Sequence, residues 1–178
     1  ALEGATIHTV AADPIEDGVV VLGADGTIQA VGARGTVRAP EGVEVVDVSG
    51  KIITPGLVEA HTRLGLVEIG MVKGSRDVSS GPDVVSAAHR AADSFNPNSA
   101  VIPVQRPGGV TDAVIVPGDG VVRGQSAHIE LAAPGAFGRV VGSPVAQHIV
   151  LGSQAARRLE GSRGTVFGAL RELYDDVR

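Results

Sequence analysis

Short apolar runs separated by glycine-rich breaks fill the chain, and their rhythm changes once, after Lys51. Before that point the runs are brief. "GATIHTV" predicts a strand, and "GVVVLGADGTIQAVG" sets two apolar runs on either side of Asp25-Gly26. A tight turn at that pair needs positive φ, which glycine adopts freely, so the stretch predicts a β-hairpin. "GVEVVDVSG" predicts one more strand, ending at Gly50. No helical periodicity occurs here, and residues 1–54 are expected to form a small β-sandwich-like segment.

Beyond Lys51 the runs lengthen. "KIITPGLVEAH" is almost continuously apolar, as expected of a strand buried on both faces. "SSGPDVVSAAHRAADSF" predicts a helix capped by Ser80, with Pro82 in its first turn and Val84, Ala88, Ala91 and Phe95 on one face. "NPNSAVIPVQRPGG" predicts a short helix entering the Gly108-Gly109 turn, and "VTDAVIVPG" a second buried strand. "GVVRGQSAHIELAA" reads as a strand or a loop–strand pair, and "AQHIVLG" as a short strand. The last segment, "GSRGTVFGALRELYDDVR", carries the clearest helical pattern. Val166, Phe167, Leu170, Leu173, Tyr174 and Val177 make one apolar stripe, with charges opposite. Strands alternating with helices predict a parallel α/β arrangement. Residues 55–178 amount to about half of the roughly 250 that a closed (β/α)₈ barrel needs. The expected fold class is therefore α/β: the β-sandwich-like segment, then the first half of a TIM-type barrel, with the final stripe incompletely covered.

Composition narrows the function classes. Of 178 residues 43% are hydrophobic but only 2% aromatic, with no Trp, so any core is built from Val, Ile, Leu and Ala. The net charge of −5 comes without a basic stripe or an aromatic platform, which argues against nucleic-acid binding. The absence of cysteine removes disulfides and thiolate metal sites. No run approaches the roughly 20 apolar residues of a membrane span. The first residues do not read as a signal peptide, and a start at Ala1 is what N-terminal processing would leave. The compartment stays open.

The chemistry concentrates in "ITPGLVEAHTRLG". In a regular strand Glu59, His61 and Arg63 share one face. Two histidines at the spacing of His61 and Arg63 would make half a metal site, but a guanidinium stays protonated and cannot ligate. The stretches "EDGVVVLGADGTIQAVG" and "GKIITPGLVEAHTRLG" resemble the amidohydrolase superfamily, and "FNPNSAVIPVQRPGGVTDAVIVPG" with "GQSAHIEL" resemble its imidazolonepropionase-like subgroup. The resemblance implies a metal-dependent (β/α)₈ barrel flanked by a β-sandwich. It implies an H-x-H metal pair on the first strand, with further ligands on later strands. His61 falls on the first histidine of that pair, Arg63 on the second, and Glu59 where the family usually has aspartate. The later-strand ligands have no counterparts in this chain.

His61 is thus a candidate metal ligand if another chain supplies the remaining ligands, or a polar anchor, or a hydrogen-bonded remnant. Arg63 would hold a carboxylate of the protein or of a small-molecule ligand, or else turn to solvent. Glu59 is expected to pair with Arg63 rather than act as a base. Gln125 and Ser126, in "GQSA", are expected near the barrel mouth within reach of a ligand. His128 and His148 are expected to be satisfied core or surface histidines, and His89 to be exposed. Neither Ser126 nor Ser153 sits in a G-x-S-x-G elbow, so neither is expected to be a nucleophile. No cofactor is expected on this chain alone; a zinc-like divalent metal would need a second chain. Two functions remain: part of a hydrolase of C–N bonds, completed by a second polypeptide or by oligomerisation, or a non-catalytic relative that binds or scaffolds.

Overall fold

A computed structural model describes residues 1–79, 81 and 84–177. The chain divides into two compact units, Ala1–Pro55 and Gly56–Arg178. The first unit is one five-stranded sheet. Its strands are β1 (Leu2–Ile7), β2 (Ile15–Leu22), β3 (Ile28–Ala33) and the two-residue strands β4 (Val46–Asp47) and β5 (Ile52–Ile53). β1 and β2 pair antiparallel, as do β2 and β3, while β4 and β5 run parallel to β1. The β2–β3 hairpin turns at Asp25-Gly26, where Gly26 has φ +82° and the Asp25 carboxylate accepts from the Thr27 amide at 3.0 Å. Ala5, Ile7 and Val20 form the small core, joined by Leu2, Ile15, Val48 and Ile53. The described residues of this unit contain a single sheet rather than two facing sheets.

The second unit departs further from expectation. Its main sheet has the order β10-β9-β7-β6, made from β6 (Leu57–Thr62), β7 (Val110–Ile115), β9 (Ala127–Glu130) and β10 (Arg139–Gly142). β6 and β7 are parallel, but β9 pairs antiparallel with β7 and with β10. A second ribbon pairs β8 (Val122–Gln125) with β11 (Gln147–Ile149). The regular succession of parallel strands and outer helices therefore extends no further than β6 and β7 among the described residues.

β6 is also not buried on both faces. It is an edge strand, and Leu57 and Val58 are each 61% exposed. Its near-continuous apolar run suits a strand with neighbours on either side, whereas among the described residues its one ladder partner is β7.

The helix expected over residues 79–95 is replaced as well. Ser80 and Pro82, its proposed cap and first turn, lie outside the described residues. From Val84 the backbone pairs with β8 on either side of a turn at Ala87-Ala88: Val121 N–H donates to Val84 O, Ser86 N–H to Val122 O, and Gln125 N–H to His89 O at 2.7 Å. Pairing with a strand edge satisfies the backbone groups a helix would have bonded internally, so tertiary context overrides propensity. Only a 3₁₀ turn, Ala91–Ser94, remains. Gly124 makes this approach feasible. It has φ +108°, and any side chain there would meet the His89 carbonyl oxygen.

Three α-helices lie among the described residues of the unit. α1 (Val101–Gln105) passes into a 3₁₀ turn ended by Gly109 at φ +83°, as its sequence suggests. α2 (Ser153–Arg158) has no counterpart in the sequence reading. α3 (Arg163–Asp176) begins with a capping box between Ser162 and Thr165. The main core joins Leu64, Leu66, Ile102, Ile115, Ile129 and Leu131 with smaller apolar residues. A second core sets Val166 of α3 against Val121, Ala155 and Ala156.

Candidate functional site at the end of strand β6

β6 delivers Glu59, His61 and Arg63, but not to one face. Along the β6–β7 ladder Glu59 is opposite Ala113 and Thr62 opposite Ile115, so β6 carries an extra residue between them. A bulge of this kind breaks the period-two alternation and re-aims side chains. Glu59, Thr62 and Arg63 line a cavity of about 600 Å³ together with Arg76 and Gln105. His61 does not line it; its ring meets His148 instead, centroids 6.2 Å apart at 72°.

The Glu59 carboxylate accepts the backbone N–H of its own strand neighbour His61 at 3.0 Å. No Glu59–Arg63 ion pair forms among the described residues, which corrects the expected pairing. The bulge and an exposed setting explain why: a carboxylate open to water gains little from a neighbouring guanidinium.

His148 sits on β11 opposite Gly124, next to Arg123 on β8. Burial lowers its pKa first, and the neighbouring His61 and Arg123 lower it further. Its Nε2 is buried without a hydrogen-bond partner among the described residues. The satisfied histidine expected from the sequence is thus an unsatisfied one, brought to His61 by a strand pairing that no local pattern announces. Arg123 is likewise lowered, by burial and then by Arg63, with Asp119 opposing. One of its terminal nitrogens donates to Gln154 at 3.1 Å, while its Nε has no partner among the described residues.

The other candidates separate. Gln125 donates to Ala87 O at 3.3 Å and leaves its own Oε1 buried and unpartnered. Ser126 is fully buried, and its hydroxyl donates to Ala146 O at 3.3 Å and accepts from Ala146 N–H at 3.2 Å. His128 Nε2 lies 2.8 Å from Asp112 Oδ1, a partnered histidine as expected. His89 is half-buried rather than exposed, because its segment packs on β8.

As a metal centre the donor set does not fit. His61 has one imidazole neighbour, and Arg123 adds fixed positive charge beside that neighbour. A catalytic zinc usually takes three protein ligands. Among the described residues no group of three His, Asp or Glu side chains could hold an ion.

No family model matches the sequence. A curated protein, amidohydrolase tasK of Hapsidospora irregularis, is 30% identical over 81 residues, which make up 46% of this chain and 8% of that protein. The crystal structure of an amidohydrolase from Thermotoga maritima MSB8 matches with a TM-score of 0.84 at 27% identity, covering 99% of this chain and 46% of that one. The chain therefore spans less than half the length of either relative. Sequence and backbone agree in their likeness: over the matched stretches the chain is similar to proteins of the amidohydrolase superfamily.

Proposed function

We propose that this chain is the N-terminal portion of an amidohydrolase-like protein of the imidazolonepropionase-like subgroup. It would hydrolyse an amide or cyclic amide C–N bond only when the rest of a barrel, with its own metal ligands, completes the site. The observation that carries this reading is the exposed edge of β6. A strand with Leu57 and Val58 in water, in a chain that aligns over 99% of its length with 46% of an amidohydrolase, is shaped to receive further polypeptide. In that setting His61 would be available as one ligand of a divalent, zinc-like metal.

A second reading is supported by Arg63: a non-catalytic relative that binds or scaffolds. Arg63 stands where the second imidazole of a metal pair would be, so His61 lacks that partner ligand, and a guanidinium there favours a ligand carrying a carboxylate. Elemental analysis and amide-hydrolysis assays on the purified chain with any co-purifying polypeptide distinguish the two, with Arg63→His in parallel. Stoichiometric metal and turnover in the unmodified assembly support the hydrolase. Metal gained only by Arg63→His supports the binding protein.

A further inference from the structure

We propose that the cavity between the end of β6, the start of β8 and α2 is a binding site for a phosphoryl group, held by Arg63, Arg123 and Arg157. The cavity is about 410 Å³, and Arg158, Gln154 and Asp119 also line it. It is distinct from the His61–His148 contact and from the larger cavity that holds Glu59; Arg63 alone is shared with the latter.

Convergence is the first argument. The three arginines come from three separate elements, which no single run of sequence brings together. In a chain of net charge −5 a cavity with this balance is against the trend. Like charges assembled in one concave site repel, so the arrangement carries a cost unless an anion offsets it. Arg63, Arg123 and Arg157 make no carboxylate ion pair among the described residues. Asp119 is the carboxylate that faces them, and one carboxylate against three guanidiniums leaves a surplus of positive charge.

Unmet hydrogen bonding is the second argument. Arg123 is held by Gln154 through one terminal nitrogen, yet its Nε is buried with no partner among the described residues. A buried donor left unpaired is costly, so a side-chain shift that turned Arg123 toward an acceptor in the cavity would relieve that cost. Gln154 sits on α2 one residue from the buried Ala155, so the clamp on Arg123 is anchored in the second core.

The ligand class follows from shape and charge. A guanidinium is a planar fork that binds carboxylate or phosphate in two-point fashion. A carboxylate offers two oxygens and one charge, enough for one fork. A phosphoryl group offers three peripheral oxygens and up to two charges, which suits three arginines from three directions. The inference does not depend on the reading of His61, because Arg123 and Arg157 belong to other elements.

Calorimetric titration of the full chain with inorganic phosphate tests it, with acetate and chloride at matched ionic strength as comparison ions. Saturable binding of one phosphate per chain is expected, at least tenfold tighter than acetate. Arg157→Ala should weaken phosphate at least tenfold, and Arg123→Gln should do the same. Arg171→Ala, on the outer face of α3, should leave it unchanged. Circular dichroism screens Arg123→Gln for folding, and if that variant unfolds the exposed Arg157 decides the matter. Phosphate no tighter than acetate, or phosphate binding that survives Arg157→Ala, would overturn the proposal. Metal gained by Arg63→His beside unaltered phosphate binding in Arg157→Ala would remove this site while leaving the reading of His61 standing.

Discussion

The rings of His61 and His148 meet edge to face, centroids 6.2 Å apart, although 86 positions separate them in the chain. The contact places a β6 histidine against one from the β8–β11 ribbon, with Arg123 close by. Buried beside His61 and a fixed cation, His148 stays neutral more readily than it charges, which gives the site a pH signature.

Burial, then His61, then Arg123 hold His148 below its ordinary pKa. The unfolded chain binds a proton there that the folded chain resists, so stability increases with pH across the gap between the two values. The contribution is complete above the unfolded value of about 6.5 and is lost as pH falls below it. Urea midpoints measured from pH 7.5 to 5 should therefore fall more steeply for the parent protein than for His148→Gln. Parallel pH profiles would exclude His148 as the source.

Ser126→Ala should destabilise by about 1–3 kcal/mol, because it strips the Ala146 N–H of its buried acceptor. The parent hydroxyl accepts from that N–H at 3.2 Å, with Ser126 itself fully buried and Ala146 exposed. Denaturant titration measures the change. A loss below about 0.5 kcal/mol would mean that water or another group replaces the hydroxyl, at odds with the packing around it.

Gly124→Ala should cost about 1–3 kcal/mol in backbone strain alone, since φ +108° is a region that alanine rarely adopts. The added methyl would also collide with the His89 carbonyl oxygen. The segment paired with β8 should loosen, and trypsin should cleave after Arg90 faster than in the parent. An unchanged melting temperature together with unchanged cleavage would contradict the close approach of the two backbones.

Local signals explain which parts of this fold were legible. Asp25-Gly26 encodes its turn in two residues, and α3 encodes its helix in an apolar stripe, so both read directly; the Ser162–Thr165 capping box is seen only in the structure. The segment from Val84 to Phe95 has a helical spacing of apolar residues, yet its backbone pairs with β8, a partner remote in sequence. The candidate site was legible in part for the same reason. "EAHTRLG" identifies Glu59, His61 and Arg63, but the bulge before Thr62 separates residues that strict alternation would align. His148 and the arginines of α2 carry no motif; only strand pairing and helix placement bring them near.

The apolar stripe of α3 yields the last prediction. Val166 is fully buried and Leu170 packs on the second core, so one end of the stripe is anchored. The other end is open: Tyr174 is 62% exposed and Val177 79%. With Val85, Val122 and Ile149 these residues line an apolar cavity of about 270 Å³ beside the β8–β11 ribbon. Burying a large apolar side chain contributes roughly 1.5–3 kcal/mol, so several left in water favour association. A second polypeptide seated on this face would supply that cover. In its absence the purified chain should self-associate through the same face. Sedimentation should then give a species larger than the 18.0 kDa monomer, and Tyr174→Lys with Val177→Lys should return it to monomer without loss of helix signal. A parent protein that sediments as a well-behaved 18.0 kDa monomer at tens of micromolar would show that the exposed stripe needs no cover.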